Sequence, residues 1–298
     1  MKQTFITDEN SVESIEGMTY EFPYTMHERD MTDFIVPWHW HEEVEFDYAY
    51  QGSIEIQTVQ KSYTIHQGEA YFINTNVMNT KRKAAGAASA IEHAHLFHPI
   101  VLSGHYKSIF ETRYLNPVLK NQSIEILIIR EQDKVSKDFL RILRKLTQIQ
   151  QEGSDAFRIR NLLSDAWLDL LTIIENQKQT GEMTSSKMYL QNRARSMLSY
   201  LHTHYDQKIT MEDLAYEIGL STKECSRSFK SVFQKTPQEY LTEYRLEQAK
   251  RLLRDTDSSI TEISYETGFG SSAYFGKIFR QYTSQTPKEY RKKFQDAP

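Results

Sequence analysis

At 298 residues the chain is too long for one ordinary core and long enough for two with a connector. Its 39% hydrophobic and 26% charged residues exclude a disordered chain, and its one cysteine, Cys225, excludes an internal disulfide or a thiolate zinc site and suits a reducing cytoplasm. The net charge of -4 divides unevenly: from Lys187 onward 18 Lys and Arg face 14 Asp and Glu, about +4, leaving about -8 for the rest, so basic character is confined to the C-terminal third.

The first residues carry no apolar segment behind their lone lysine, and no later run approaches about 18 apolar residues, so neither secretion nor a membrane span is expected. From about residue 18 to 130 the pattern is that of strands. Segments 32–36, 44–50, 53–59 and 70–73 are rich in β-branched and aromatic residues, and Gln51-Gly52 and Gln67-Gly68 read as turns. An all-β sandwich or barrel follows.

Within it, His39 and His41 flank Trp40, with Glu45 further on. In an extended strand His39, His41 and, without a bulge, Glu45 share one face, a donor set suited to a divalent transition metal. This spacing, closed by Gly52, resembles the first signature of the cupin superfamily, and residues 68–79 resemble the second imperfectly. Asn74, Asn76 and Asn79 stand where metal-binding cupins place a proline, a glycine and the last histidine. The resemblance implies a cupin-like sensor barrel. Asparagine is a poor transition-metal ligand, so the metal reading of His39, His41 and Glu45 lacks a fourth ligand and no cofactor is expected. A second reading makes these residues a polar pocket for a small-molecule effector such as a sugar, with Trp38, Trp40, Tyr48 or Tyr50 as stacking surfaces. A third treats the aromatics as core and the histidines as structural. His93 and His95, with His98 nearby, share a later strand, and the first two are candidates to complete the pocket from across the barrel.

After about Lys134 the apolar period changes to that of helices. Phe139, Leu143, Leu146 and Ile149, then Phe157, Leu162, Leu163, Ala166, Trp167, Leu170 and Ile174, predict two amphipathic helices broken near Glu152-Gly153-Ser154. Their stripes have two readings that are compatible, packing on the barrel and a homodimer interface. The polar stretch from Asn176 to Lys187 reads as a linker. The expected organisation is 1–134 sensor, 135–176 helical connector, 177–187 linker and 188–298 a separate C-terminal domain.

The last third repeats itself. Leu214 to Gly219, Phe229 and Thr236 to Tyr240 recur about 50 residues later as Ile263 to Gly268, Phe279 and Thr286 to Tyr290, with one extra residue at the turn containing Phe269. Each copy reads as a short helix (211–218; 261–267), a glycine stop, a serine N-cap and a second helix (222–233; 272–282). Cys225, Phe229 and Val232 predict the inward face of the first of these second helices, and Phe275, Ile278 and Phe279 that of the other. A long helix, 237–255, joins the copies, with Tyr240, Tyr244, Leu246, Ala249 and Leu253 on one side. Helix, turn, helix is a DNA-reading unit whose second helix enters the major groove.

Residues 188–294 resemble the AraC/XylS family of bacterial regulators through Ile209 to Ala215, Tyr244 to Leu253, Glu266 to Phe275 and Thr286 to Arg291. The resemblance implies two helix-turn-helix units in one chain, binding promoter DNA and usually activating transcription. Carried over by position, the base-facing residues are Lys223, Ser226 and Arg227 in the first unit and Ser272, Ala273, Tyr274 and Lys277 in the second. Ser221, Thr222, Lys230, Ser271 and Arg280 complete the DNA-binding set. The expected molecule is an α+β multidomain protein: a cupin-like β-barrel, a helical connector and an all-α double helix-turn-helix domain. It is expected to be a cytoplasmic, effector-controlled regulator, not an enzyme, with double-stranded promoter DNA, a homodimer partner and RNA polymerase as partners. The alternative is a metal-dependent cupin enzyme fused to a DNA-binding domain.

Overall fold

A computed structural model describes residues 5, 7, 8, 11–121, 123–153, 155–177 and 185–295, which fall into two compact units, Met1–Gln191 and Asn192–Pro298. The first unit holds eight strands: β1 (Tyr24–Asp30), β2 (Val36–His39), β3 (Val44–Thr58), β4 (Ser62–His66), β5 (Ala70–Ile73), β6 (Asn79–Lys83), β7 (Ala90–Phe97) and β8 (Ile126–Ile129). All pair antiparallel. The long β3 belongs to two sheets, its first half lying between β5 and β7 and its second half between β4 and β6.

The expected turn at Gln51-Gly52 is instead a bend inside β3. The pairing with β7 slips between Ala49 and Gln51, and Gly52 takes φ +74° where a Cβ would stand 1.9 Å from the Ser89 carbonyl oxygen. One strand thereby passes from one sheet to the other. Gln67-Gly68 is the β4–β5 turn, as expected. The expected strand at 32–36 is mostly loop. The Thr32 amide donates to Asp30 Oδ1 at 2.9 Å, which turns the chain out of β1 before β2 begins.

Residues 100–119, included in the strand region, are largely helical: α1 (Ile100–Ser103), a π-helical turn (Phe110–Leu115) and α2 (Asn116–Leu119). Two long helices follow, α3 (Lys134–Gly153) and α4 (Ala156–Gln177). Their apolar stripes close on the barrel of the same chain, where Phe46 meets Phe139 at 5.2 Å and Trp167 at 6.0 Å between ring centroids. Phe157 departs from the expected stripe. It sits in the first turn of α4, beside the Asp155 carboxylate that accepts its amide, and is 72% exposed. Of the expected linker, Asn176 and Gln177 belong to α4, residues 185–187 belong to α5 (Ser185–Thr203), and 178–184 lie outside the described residues.

The second unit continues with α6 (Met211–Glu217), α7 (Thr222–Phe233), α8 (Pro237–Asp255), α9 (Ile260–Glu266), α10 (Ser272–Thr283) and α11 (Pro287–Gln295). α8 turns Tyr240, Leu246, Ala249 and Leu253 inward. The last three pack with Ile263, Phe269, Phe275 and Phe279 into the core of the second repeat.

Candidate functional site

Two sets of polar side chains stand out, one enclosed in the barrel and one exposed on the helices. The enclosed set begins with residues of odd parity on β3. Glu45 and Asp47 project to the interior, where Lys81 of β6 donates to Glu45 at 2.5 Å, to Asp47 at 2.8 Å and to Glu92 at 3.3 Å. Tyr71 donates its hydroxyl to Glu92, and Arg29 of β1 donates to Glu13 at 3.0 Å. All of these groups are buried.

Burial in a medium of low polarity penalises charge, so partners decide which groups ionise. Burial drives the carboxyls of Glu13 and Asp47 upward, Asp47 well above the usual range with Glu45 beside it. Burial acts on Glu45 in the same direction but is outweighed by the Lys81 ammonium, which holds its carboxyl well below that range. His39 falls well below the ordinary imidazole value through burial and its neighbour His41. His41 rises because the hydrogen bond and charge of Glu45 overcome burial.

His39, His41 and Glu45 do come together, though not along one extended strand as the spacing predicts: β2 ends at His39, the chain bends at residues 42–43, Glu45 stands on β3, and the fold adds Glu13 to them. One donor atom from each of the four lies within 4.8 Å of all the others. His41 Nε2 is 2.8 Å from Glu45 Oε1, and Glu13 Oε2 lies 3.6 Å from His39 Nε2 and 3.8 Å from His41 Nε2. His39 Nδ1 lies 2.9 Å from the Pro37 carbonyl oxygen and His41 Nδ1 3.1 Å from that of Glu43. A ring N–H donated to each carbonyl points the Nε2 lone pairs inward, the tautomer a metal requires. His39 Nε2 and Glu13 Oε2 are buried and have no hydrogen-bond partner among the described residues. Two imidazoles and two carboxylates with two orphaned acceptor atoms facing each other fit a divalent transition metal.

The rest of the expected pocket does not assemble there. In the β3–β7 register Phe46 faces His95 and Tyr48 faces His93, whereas Glu45 faces Leu96 and Asp47 faces Ala94. His93, His95 and Tyr48 therefore lie on the opposite side of the sheet from His39, His41 and Glu45. The two histidines share parity with each other, as expected, but cross-strand register places them on the other face. His95 is held between the Tyr24 hydroxyl at 2.9 Å and the Thr147 hydroxyl at 3.1 Å, and burial pushes it down to about 3. His93 contacts Tyr48 at 2.5 Å and Glu28 at 3.0 Å. Trp38 is buried and Trp40 half-buried.

Sequence reasoning missed Glu13, Arg29, Asp47, Lys81 and Glu92. Asp47 was accessible, since it alternates with Glu45 along the strand. The others arrive from distant segments with no spacing to mark them.

The exposed set is built by a local code. The Thr210 hydroxyl accepts the Asp213 amide while Asp213 accepts the Thr210 amide, and Ser221 with Glu224, Thr236 with Glu239, and Ser259 with Glu262 repeat this reciprocal cap. At the head of α10, Ser271 accepts the Tyr274 amide, and with a tyrosine at that position no acid completes the pair. The turns rest on Gly219 (φ +66°) and Gly268 (φ +73°), in the left-handed region open to glycine. Gly268 has a second constraint, because a Cβ there would stand 2.4 Å from the Tyr205 carbonyl oxygen. Arg245 donates to that same oxygen and to the Gln207 carbonyl, both at 2.6 Å.

On these frames α7 buries Cys225, Phe229 and Val232 and leaves Thr222, Lys223, Arg227 and Lys230 exposed, with Ser221 exposed at its cap and Ser226 half-buried. α10 buries Phe275 and Phe279, half-buries Ile278, and exposes Ser272, Ala273, Tyr274, Lys277 and Arg280, with Ser271 half-buried at its cap. The 19 residues of α8 run about 28 Å from one helix-turn-helix repeat to the next at 1.5 Å per residue. Two helix-turn-helix units, each with a solvent-facing basic helix and joined by a helix close to one DNA turn in length, define a double-headed DNA reader.

Residues 214–293 match the family model described as "Helix-turn-helix domain". Over 97% of this chain and 99% of the other, the sequence is 29% identical to "Uncharacterized HTH-type transcriptional regulator YdeC" of Bacillus subtilis (strain 168). It is 30% identical to "HTH-type transcriptional activator RhaS" of Klebsiella pneumoniae (strain 342) over 53% of this chain and 56% of that protein. A crystal structure of a transcriptional regulator with an AraC-type DNA-binding domain from Chromobacterium violaceum is 29% identical, covering 36% of this chain and 96% of that one, with a TM-score of 0.34. The chain carries a helix-turn-helix domain and is a DNA-binding transcriptional regulator, similar along nearly its whole length to one such protein. Among the described residues no helix is long and apolar enough to cross a membrane.

Proposed function

We propose that α7 and α10 enter successive major grooves on one side of promoter DNA, and that the barrel unit biases this binding in response to a small-molecule effector. The observation that carries the reading is the exposure of both basic helix faces at the corresponding point of each repeat. In α7, Lys223, Ser226 and Arg227 supply base contacts, with Ser221, Thr222 and Lys230 toward phosphate. In α10, Ser272, Ala273, Tyr274 and Lys277 take the base-facing role, with Ser271 and Arg280 toward phosphate. Activation of transcription through RNA polymerase, a cytoplasmic location and a homodimer that doubles the reading heads extend the same proposal. The domain roles are 1–134 sensing, 135–176 connection and 188–298 DNA reading.

Selection of duplexes from a random pool by the full-length chain tests it. Two recognition elements about one helical turn apart are expected. Arg227→Ala should relax discrimination in one element by about 1–3 kcal/mol and Lys277→Ala in the other. A selected site with one element, or loss in the same element from both variants, would refute the two-headed reading. A thermal-shift panel of sugars and other metabolites tests the effector, since a ligand at about 100 times its Kd stabilises by about 2.7 kcal/mol.

A further inference from the structure

The sequence argument against a metal was the missing fourth ligand: Asn79 stands where a histidine is needed. In the fold Asn79 pairs in register with His39, but its side-chain amide donates to the Val77 carbonyl at 3.2 Å. The fourth donor comes instead from a segment with no part in either signature. Residues 11–13 lie along the end of β2, the Trp40 amide donating to the Ser11 carbonyl and the Glu13 amide to the Trp40 carbonyl, each at 3.0 Å. This placement commits Glu13 Oε1 to Arg29 and leaves Oε2 aimed at the two imidazoles.

We propose that Glu13, His39, His41 and Glu45 bind one divalent first-row transition-metal ion, and that Glu13, as its fourth ligand, makes ion binding fasten residues 11–13 onto β2. The geometry is close to what an ion needs. Bonds of about 2.1 Å place ligand atoms about 3–4 Å apart, and the contacts among these donors are 2.8, 3.6 and 3.8 Å. The second nitrogens of both histidines are already turned to backbone carbonyls, so binding requires no ring flip. An ion between His41 and Glu45 replaces the hydrogen bond that joins them, and it supplies partners to the two orphaned atoms, His39 Nε2 and Glu13 Oε2. The proposal is independent of how the chain reads DNA.

The test uses full-length protein stripped with a chelator and titrated with Co2+, then with Zn2+ and Mn2+ in competition. Wild type should take up one ion per chain, with visible Co2+ bands that report imidazole and carboxylate coordination. Glu13→Gln should weaken binding at least about tenfold and change those bands, and His39→Ala should abolish them. Hydrogen exchange gives a second readout. The amides of Glu13 and Trp40 should slow when the ion is added to wild type but not to Glu13→Gln. Should Glu13→Gln fail to fold, exchange in wild type with and without ion decides alone. Absence of stoichiometric uptake by folded wild type overturns the site and leaves water as the filler. Equal affinity and identical bands in wild type and Glu13→Gln overturn the role of Glu13, as does exchange at residues 13 and 40 that ignores the ion.

Discussion

Lys81 and Arg227 are both cations on elements with one buried face, yet Lys81 is enclosed by three carboxylates while Arg227 stands in solvent at the rim of α7. The barrel unit keeps charge inside and balances it pair by pair. The helical unit encloses Arg245 on backbone carbonyls but keeps the charges of its second helices outside, and uses its interior for Phe229, Phe275 and Phe279. In the first arrangement Lys81 joins Glu45, Asp47 and Glu92, so a change at one of them is felt by the others. In the second, the outward residues contribute little to folding and can be altered to suit a DNA sequence without endangering the core. A regulator gains from both: a polar interior whose stability depends on what it holds, and a reading surface decoupled from stability.

The largest expected consequence of this contrast is at Lys81. Lys81→Met strips Glu45, Asp47 and Glu92 of their shared cation and should destabilise the barrel unit by about 3–5 kcal/mol in urea unfolding. Trp38, Trp40 and Trp167 all lie in that unit, so their fluorescence follows it alone. A loss below about 1 kcal/mol would mean that the buried charges are not mutually dependent.

Acid should also separate the two units. Burial pushes His202 of α5, which bonds the Tyr240 hydroxyl at 3.0 Å, down to about 3. The folded form excludes a proton that the unfolded chain accepts near 6.5, so the contribution of His202 is complete above about pH 6.5 and declines as pH falls toward 3. The lowered carboxyls of the caps, Asp213, Glu224, Glu239 and Glu262, act in the same direction at lower pH. In the barrel, His95, His39 and His27 are lowered by burial and behave as His202 does, while Asp47 and Glu13 are raised and oppose them. Between pH 6.5 and 4.5 the helical unit should lose about tenfold in its folding equilibrium per pH unit, read from amide hydrogen exchange of α7 and α10. His202→Gln should flatten that loss while leaving the acid response of the tryptophan fluorescence unchanged. A His202→Gln slope equal to that of wild type would contradict the assignment.

The two repeats differ by less. Gly219→Ala meets only the left-handed backbone, a cost of about 1–2 kcal/mol, because nothing stands within 4 Å of the added carbon. Gly268→Ala adds the clash with Tyr205 and should cost at least about 1 kcal/mol more. Similar melting shifts in the two variants would make the repeats structurally equivalent. Smallest of all, Arg227→Ala should leave thermal stability within about 0.5 kcal/mol of wild type while changing DNA discrimination. A larger stability loss would place Arg227 among the structural residues and remove the contrast from which these tests start.

Legibility in the sequence follows the range of the interactions. Both recognition helices, the long helix between them and the glycine stops were readable because caps, turns and helical faces are set by residues three or four apart. The duplication read each signal twice. On the barrel, the alternation that grouped His39, His41 and Glu45 did not foresee the bend between β2 and β3 that brings them together, and it could not say which face His93 and His95 would share. That depends on how β7 pairs with β3, and slipping one residue reverses every side chain. Gln51-Gly52 reads as a turn because glycine accepts a left-handed φ in turns and bulges alike, and only the neighbouring Ser89 carbonyl decides between them.

From the order of residues alone came the α+β class, the double reading head and the faces it presents, all products of short-range geometry repeated in register. The enclosed polar centre was decided by the tertiary structure. Glu13, Arg29, Lys81 and Glu92 belong to four segments whose meeting depends on strand register and on the path of β3 between two sheets, and no local spacing encodes a partner that the chain must fold to reach.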